Sequence, residues 1–146
     1  MLGSTNKMKT KHFSLQHVHY MPKELEGGIF YVSYEFGTAA HLCACGCGAK
    51  IRTPLGPTDW KLRETPKGPT LRPSIGNWQQ QCKSHYLITK GEVNWAGRWS
   101  DEKIIAGRHA EHSRHAAFYG EQEARQNLIE RSRNWFKKLL KTNIGK

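Results

Sequence analysis

His41-Leu-Cys-Ala-Cys-Gly-Cys-Gly48, answered 34 residues further on by Cys82-Lys-Ser-His85, is the pair of strings that decides how this chain must fold. Cysteines at alternate positions rarely pair with one another, because so short a span does not bring their Cβ atoms into disulfide geometry. Four cysteines in 146 residues are also few for a disulfide scaffold. Soft donors gathered in two short loops suit a metal ion instead. Alternating Gly and Cys excludes a helix. Gly46 and Gly48 let a tight loop turn so that its thiols point inward. Five residues then compete for four positions: Cys43, Cys45, Cys47, Cys82 and His85. Cys47, Cys82 and His85 are expected to bind, with Cys43 or Cys45 completing a tetrahedron. Mixed thiolate and imidazole donors suit Zn2+, with an iron–sulfur cluster as the alternative.

A Cys-x-Cys loop followed by Cys-x-x-His resembles the two-loop arrangement of Rieske iron–sulfur domains. Here a cysteine stands where that pattern has its first histidine, and a third cysteine is added, so zinc is favoured. Four protein ligands would close the site and make the metal structural. A hydrolytic metal needs a bound water and a nearby carboxylate base, and the stretch around the cysteines offers only Glu35, Asp59 and Glu64.

Outward from the cysteines the chain reads as short strands. His12 to Tyr20 and Ile29 to Phe36 alternate, with Phe30, Val32, Tyr34 and Phe36 on one side, and Gly27-Gly28 marks a turn between them. Lys50 to Leu55 and Trp60 to Glu64 read as strands. Leu71 to Trp78, which holds Pro73 and Gly76, reads as an irregular loop. His85 to Thr89 and Val93 to Ala96 flank Lys90-Gly91-Glu92 as a hairpin. After Gly97 the period turns helical. Ser100 can cap a helix whose first turn carries Asp101 and Glu102. That helix is expected to break near Gly120, with a second helix following. The expectation is an α+β protein: a flexible N-terminus (1–11), a small antiparallel β domain with a zinc-ribbon-like or Rieske-like site (12–97), and a basic helical extension (98–146).

The net charge is +11, and basic residues outnumber acidic ones about two to one on both sides of residue 97. Polyanions, meaning nucleic acid or acidic protein surfaces, are the partners this charge attracts. The segment from Arg131 onward, with Arg133, Lys137, Lys138 and Lys141, has no acidic residue. Together with Trp60 and Trp78, whose faces can stack on bases or a peptide, it forms the candidate partner or nucleic-acid surface. The bland alternative makes the tryptophans core bulk beside the metal. His109, His112 and His115 share a helical face, and without an orienting carboxylate a solvated role is favoured. No apolar run reaches the roughly 20 residues of a membrane span. No secretory h-region is seen either, so a cytoplasmic location is expected.

The order of strings from His41 to Gly48, Thr53-Pro-Leu-Gly-Pro-Thr-Asp-Trp60, Leu71-Arg-Pro-Ser-Ile-Gly-Asn-Trp78, Cys82-Lys-Ser-His-Tyr86 and Val93-Asn-Trp95 resembles a bacterial and phage family of small cysteine-rich proteins. That family is encoded beside homologues of ubiquitin-activating and ubiquitin-conjugating enzymes. The resemblance covers about residues 29–108. It implies a metal site on the residues named, and a protein partner such as a conjugating-enzyme homologue in a pathway linked to phage defence. It carries no established activity. The reading that follows is a noncatalytic zinc-binding accessory protein. The alternatives are a zinc-dependent nucleic-acid-binding protein and a metal-dependent or iron–sulfur enzyme.

Overall fold

The computed structural model describes residues 8–143, as eight strands followed by one helix. The strands are β1 (Ser14–His17), β2 (Ile29–Ser33), β3 (Thr38–Leu42), β4 (Lys50–Pro54), β5 (Lys61–Thr65), β6 (Gly68–Gly76), β7 (His85–Thr89) and β8 (Glu92–Trp95), and the helix is α1 (Asp101–Thr142). They form two four-stranded sheets, ordered β1-β2-β3-β4 and β5-β6-β7-β8. All neighbours are antiparallel except β1 and β2, which pair in parallel with Ser14 opposite Ile29. The α+β class holds. The chain separates into two compact units, the first ending at Ile104 and the second beginning at Ile105. Residues 1–7 of the expected lead-in lie outside the described residues. Of the rest of that segment, the Thr10 amide donates to the Ala44 carbonyl (2.8 Å), and the Lys11 carbonyl accepts from Val93 (2.9 Å).

Three local expectations change. The alternation of Ile29 to Phe36 stops at Ser33, and β2 is buried on both faces, with Phe30 and Val32 joined by Tyr31 and Ser33. Tyr34 and Phe36 lie in the exposed turn that follows. The stretch read as a loop, Leu71 to Trp78, is instead mostly strand: β6 runs nine residues through two prolines. Its register against β7 shifts between Leu71 and Ile75, which is how a sheet accommodates Pro73, a residue with no amide to give the ladder. Finally, α1 passes through Gly120 without a break. A glycine lowers helix propensity by only about 1 kcal/mol, and Gly107 and Gly120 are two among the 42 residues of the helix. Ser100 accepts from the Lys103 amide (3.3 Å) as the cap should.

One buried cluster draws on both sheets. Phe13, Phe30, Val32, Ala39 and Ile51 meet Leu71, Ile75, Tyr86 and Ile88, with Cys43 and Ala44 at its edge. Phe13 sits at the seam, since its amide donates to Gly91 in the β7–β8 turn (2.7 Å) while Ser14 donates to Gly28 beside β2 (2.8 Å). Gly68 is required there. Its φ is +138°, and a Cβ would stand 2.7 Å from the Gly91 Cα and 2.9 Å from the Phe13 carbonyl oxygen.

His41, on β3, is fully buried between Phe13, Phe30 and Tyr86. Its Nε2 shares a 2.7 Å hydrogen bond with the Tyr86 hydroxyl. Burial holds its pKa down to about 3. The folded state therefore binds a proton less readily than the unfolded chain. Stability from the neutral ring is complete above the unfolded value of 6.5 and is lost as pH falls toward 3. Below pH 6.5 the expected slope from this group is about 1.4 kcal/mol per pH unit. Urea unfolding of the native protein and of His41→Gln, compared at pH 7.5, 6 and 5, should show the difference between them narrowing with acid. Parallel pH curves would rule this role out.

Candidate functional site

The β3–β4 loop is closed by backbone bonds from Cys43 to Ala49 (2.8 Å) and from Gly46 to Cys43 (3.1 Å). The loop is tight, as the string suggested, and Gly46 and Gly48 adopt the left-handed region at φ of 85° and 82°. The β6–β7 connection folds back on itself: Asn77 donates to the Ser84 carbonyl (2.8 Å), Gln80 to Asn77, and Lys83 to Gln80. The two loops bring all four cysteines together, their Sγ atoms within 4.8 Å of one another. Cys43 lies 3.4 Å from Cys45 and 3.9 Å from Cys82, and Cys47 lies 3.8 Å from Cys82. Four sulfurs about 2.3 Å from a shared zinc would be separated by about 3.8 Å in a tetrahedron, so the group fits a thiolate-bound metal.

The electrostatics of the thiols agree with a cation. Burial raises Cys43 and Cys45. Burial also opposes ionisation of Cys82, but hydrogen bonds from the Ser84 hydroxyl and amide, aided by the Cys45 and Cys47 thiols, outweigh it and bring Cys82 down to about 7. Burial thus opposes ionisation of Cys43 and Cys45 while hydrogen bonds favour the Cys82 thiolate. A positive ion at the centre would favour ionisation of the buried thiols. Two buried polar side chains brace the group. The Ser84 Oγ lies 3.0 Å from Cys43 Sγ, and the Asn77 Nδ2 donates to Ser84 (2.8 Å) and to Cys43 (3.5 Å). These are the outer hydrogen bonds that fix thiolate direction at metal centres.

His85 stands apart from the four sulfurs, contrary to the expected ligand set. Both its ring nitrogens are taken: Nδ1 lies 2.8 Å from the Gly97 carbonyl oxygen, and Nε2 lies 2.8 Å from the Ser74 hydroxyl. A carbonyl can only accept, so in the neutral ring the proton sits on Nδ1. Nε2 then presents its lone pair to Ser74, which donates. The β6–β7 connection thus separates two centres. Asn77, Cys82 and Ser84 face the thiols, while Ser74 on β6 and His85 on β7 face each other. Gly76 pairs with His85, and Ser74, two residues before Gly76, lies on the same face of the sheet.

Trp78 and Trp99 pack around the imidazole, with ring centroids 5.0 and 5.2 Å from it. Trp60 is elsewhere, half-buried against the core. Arg131, Arg133, Lys137, Lys138 and Lys141 are exposed on α1. No described helix is long and apolar enough to cross a membrane. Ser74, Gly97 and Trp99 were not singled out from the sequence. The usable signal was arithmetic: four cysteines already complete a tetrahedron, which leaves His85 free for other chemistry.

The family model described as "Bacterial ubiquitination-like system serine protease (BubE)" covers residues 17–96. No curated protein and no solved structure matched the chain. The matched stretch begins earlier and ends sooner than the resemblance read from the strings, and it holds both Ser74 and His85.

The ligand geometry predicts about one metal ion per chain by elemental analysis. Cys43→Ser, Cys47→Ser and Cys82→Ser should each lose most of it, and His85→Ala should keep it. Metal loss from His85→Ala equal to that from Cys82→Ser would restore the imidazole to the ligand set.

Proposed function

The chain belongs to the family of bacterial ubiquitination-like system proteins matched over residues 17–96, and from that premise we propose that it is a serine peptidase in which Ser74 is the nucleophile and His85 the general base. The observation that carries this reading is the 2.8 Å contact from Ser74 to His85 Nε2, with Nδ1 held 2.8 Å from a carbonyl on the far side. Nucleophile, base and orienting acceptor in line are the parts that activated-serine chemistry needs. The sequence favoured a noncatalytic accessory role because four protein ligands would close the metal site and few carboxylates lie near the cysteines. With the imidazole facing a hydroxyl, the enzymatic reading is better supported.

The chemistry follows from the tautomer. As Ser74 Oγ bonds to the acyl carbon of a substrate, its proton passes to Nε2. The imidazolium then gives that proton to the departing amine, which leaves an acyl group on Ser74. A water activated by the same nitrogen releases the acyl group and restores the serine. The acceptor behind His85 is an uncharged main-chain carbonyl, where many such sites use a carboxylate. It fixes the tautomer and ring angle without adding a negative charge. His85 is 93% buried, so the ring has few other orientations open to it.

Zinc is the metal that four thiolates prefer. Cys43, Cys45, Cys47 and Cys82 would hold it, and it would serve to clamp the β3–β4 loop to the connection between β6, which carries Ser74, and β7, which carries His85. Four reduced thiols suit a reducing compartment, which supports a cytoplasmic location. Membership of a ubiquitination-like system supports protein substrates and partners, a conjugating-enzyme homologue or its target among them, and a place in phage defence fits that setting. The basic face of α1, from Arg131 to Lys141, favours an acidic partner surface or nucleic acid.

A fluorophosphonate probe, which captures activated serines, should label the full-length protein at Ser74. Hydrolysis of an activated ester should fall about 10³-fold or more in Ser74→Ala and in His85→Ala, with metal content retained. Labelling that persists undiminished in Ser74→Ala would exclude this serine as the nucleophile.

A further inference from the structure

Trp99 lies just past the end of the matched stretch, in the joint between β8 and α1, and that joint supplies the acceptor for His85. The sheet ladder reaches only as far as Ala96, whose amide donates to the His85 carbonyl (2.8 Å). Gly97 follows, in irregular backbone with no ladder partner to set the direction of its carbonyl. What restrains this segment is Trp99. Its ring stacks on Trp78, with centroids 5.7 Å apart and planes 24° apart, and it meets His85 edge to face at 5.2 Å and 75°. Trp78 is itself seated against Gly76, where a Cβ would stand 2.7 Å from the indole Cε2 and would displace the ring. A chain of packing therefore runs from Gly76 through Trp78 to Trp99, and so to the peptide whose oxygen orients the base.

We propose that Trp99 is a positioning residue for His85. It fixes the Gly97 carbonyl so that His85 keeps its proton on Nδ1 and its Nε2 lone pair toward Ser74. The alignment of base and hydroxyl matters to the proton transfer itself, so its loss lowers turnover more than substrate binding. This rests on the reading of Ser74 and His85 as nucleophile and base. It extends the catalytic centre beyond the family match, into the segment that leads to α1.

The test compares Trp99→Ala, Trp99→Phe and Ser74→Ala in the full chain, with kcat and KM measured on an activated ester. The tautomer of His85 is read from its ring nitrogen chemical shifts. Metal content and melting temperature report the fold. Expected for Trp99→Ala is a kcat lowered about tenfold to a hundredfold with KM little changed, and a His85 ring no longer held in the single Nδ1–H form. Trp99→Phe, which keeps a ring against the imidazole, should recover most of the loss. A raised KM at unchanged kcat would make Trp99 a substrate contact and overturn the proposal. So would a Trp99→Ala enzyme with native kcat and tautomer, or a Trp99→Phe no better than Trp99→Ala. Full activity in Ser74→Ala would overturn the underlying dyad, and this inference with it. A Ser74→Ala loss beside a native Trp99→Ala would overturn this inference alone.

Discussion

Four sulfurs meeting within 4.8 Å join two loops that are distant in the chain, and Ser74 and His85 flank the second of them. Cys43, Cys45 and Cys47 leave the end of β3, while Cys82 hangs from the connection between β6 and β7. Asn77 and Ser84 bind the second loop to the first through Cys43. These two residues also bracket the connection: Ser74 lies three residues before Asn77, and His85 directly follows Ser84. A thiolate cluster and a serine–histidine pair thus share one support without sharing an atom. Disturbing the first should loosen the second, because a few tenths of an ångström matter to a proton transfer across 2.8 Å.

The sheets supply the other half of the constraint. A pleated strand sends alternate side chains to opposite faces. That alternation puts Ser74 on the same face as Gly76, which pairs with His85 on β7, so the hydroxyl and the imidazole share one side of the sheet. Beneath it, Leu71, Ile75, Tyr86 and Ile88 are fully or almost fully buried, so both strands are anchored on their inner faces. The site therefore stands on packed strands and not on a free loop, which keeps the hydroxyl and the imidazole from drifting apart.

His41 illustrates how the same residue type serves a different end a few residues from the metal loop. It has the intrinsic chemistry of His85, yet it is enclosed by Phe13, Phe30 and Tyr86 and kept neutral by burial. His85 is nearly as enclosed, but it has an acceptor on one nitrogen and a hydroxyl on the other. Partner geometry separates the core histidine from the proposed base, and that geometry involves Ser74 and Gly97, 11 and 12 residues away in the chain.

Much of the local structure was legible in the chain itself. The Gly-Cys alternation required a tight left-handed loop, the Lys90-Gly91 hairpin and the Ser100 cap were readable from turn and cap chemistry, and the cysteine count pointed to a shared cation. Each of these depends on neighbours a few residues apart, where covalent geometry and backbone sterics already restrict the outcome. The tertiary structure alone decided that His85 leaves the sulfurs for Ser74, that a proline-bearing stretch becomes a nine-residue strand, that β1 pairs with β2 in parallel, and that Trp99 closes over the imidazole. Those choices turn on which surfaces meet across sheets and loops. Contact between residues far apart in sequence is set by the packing of the whole core, and no local string encodes it.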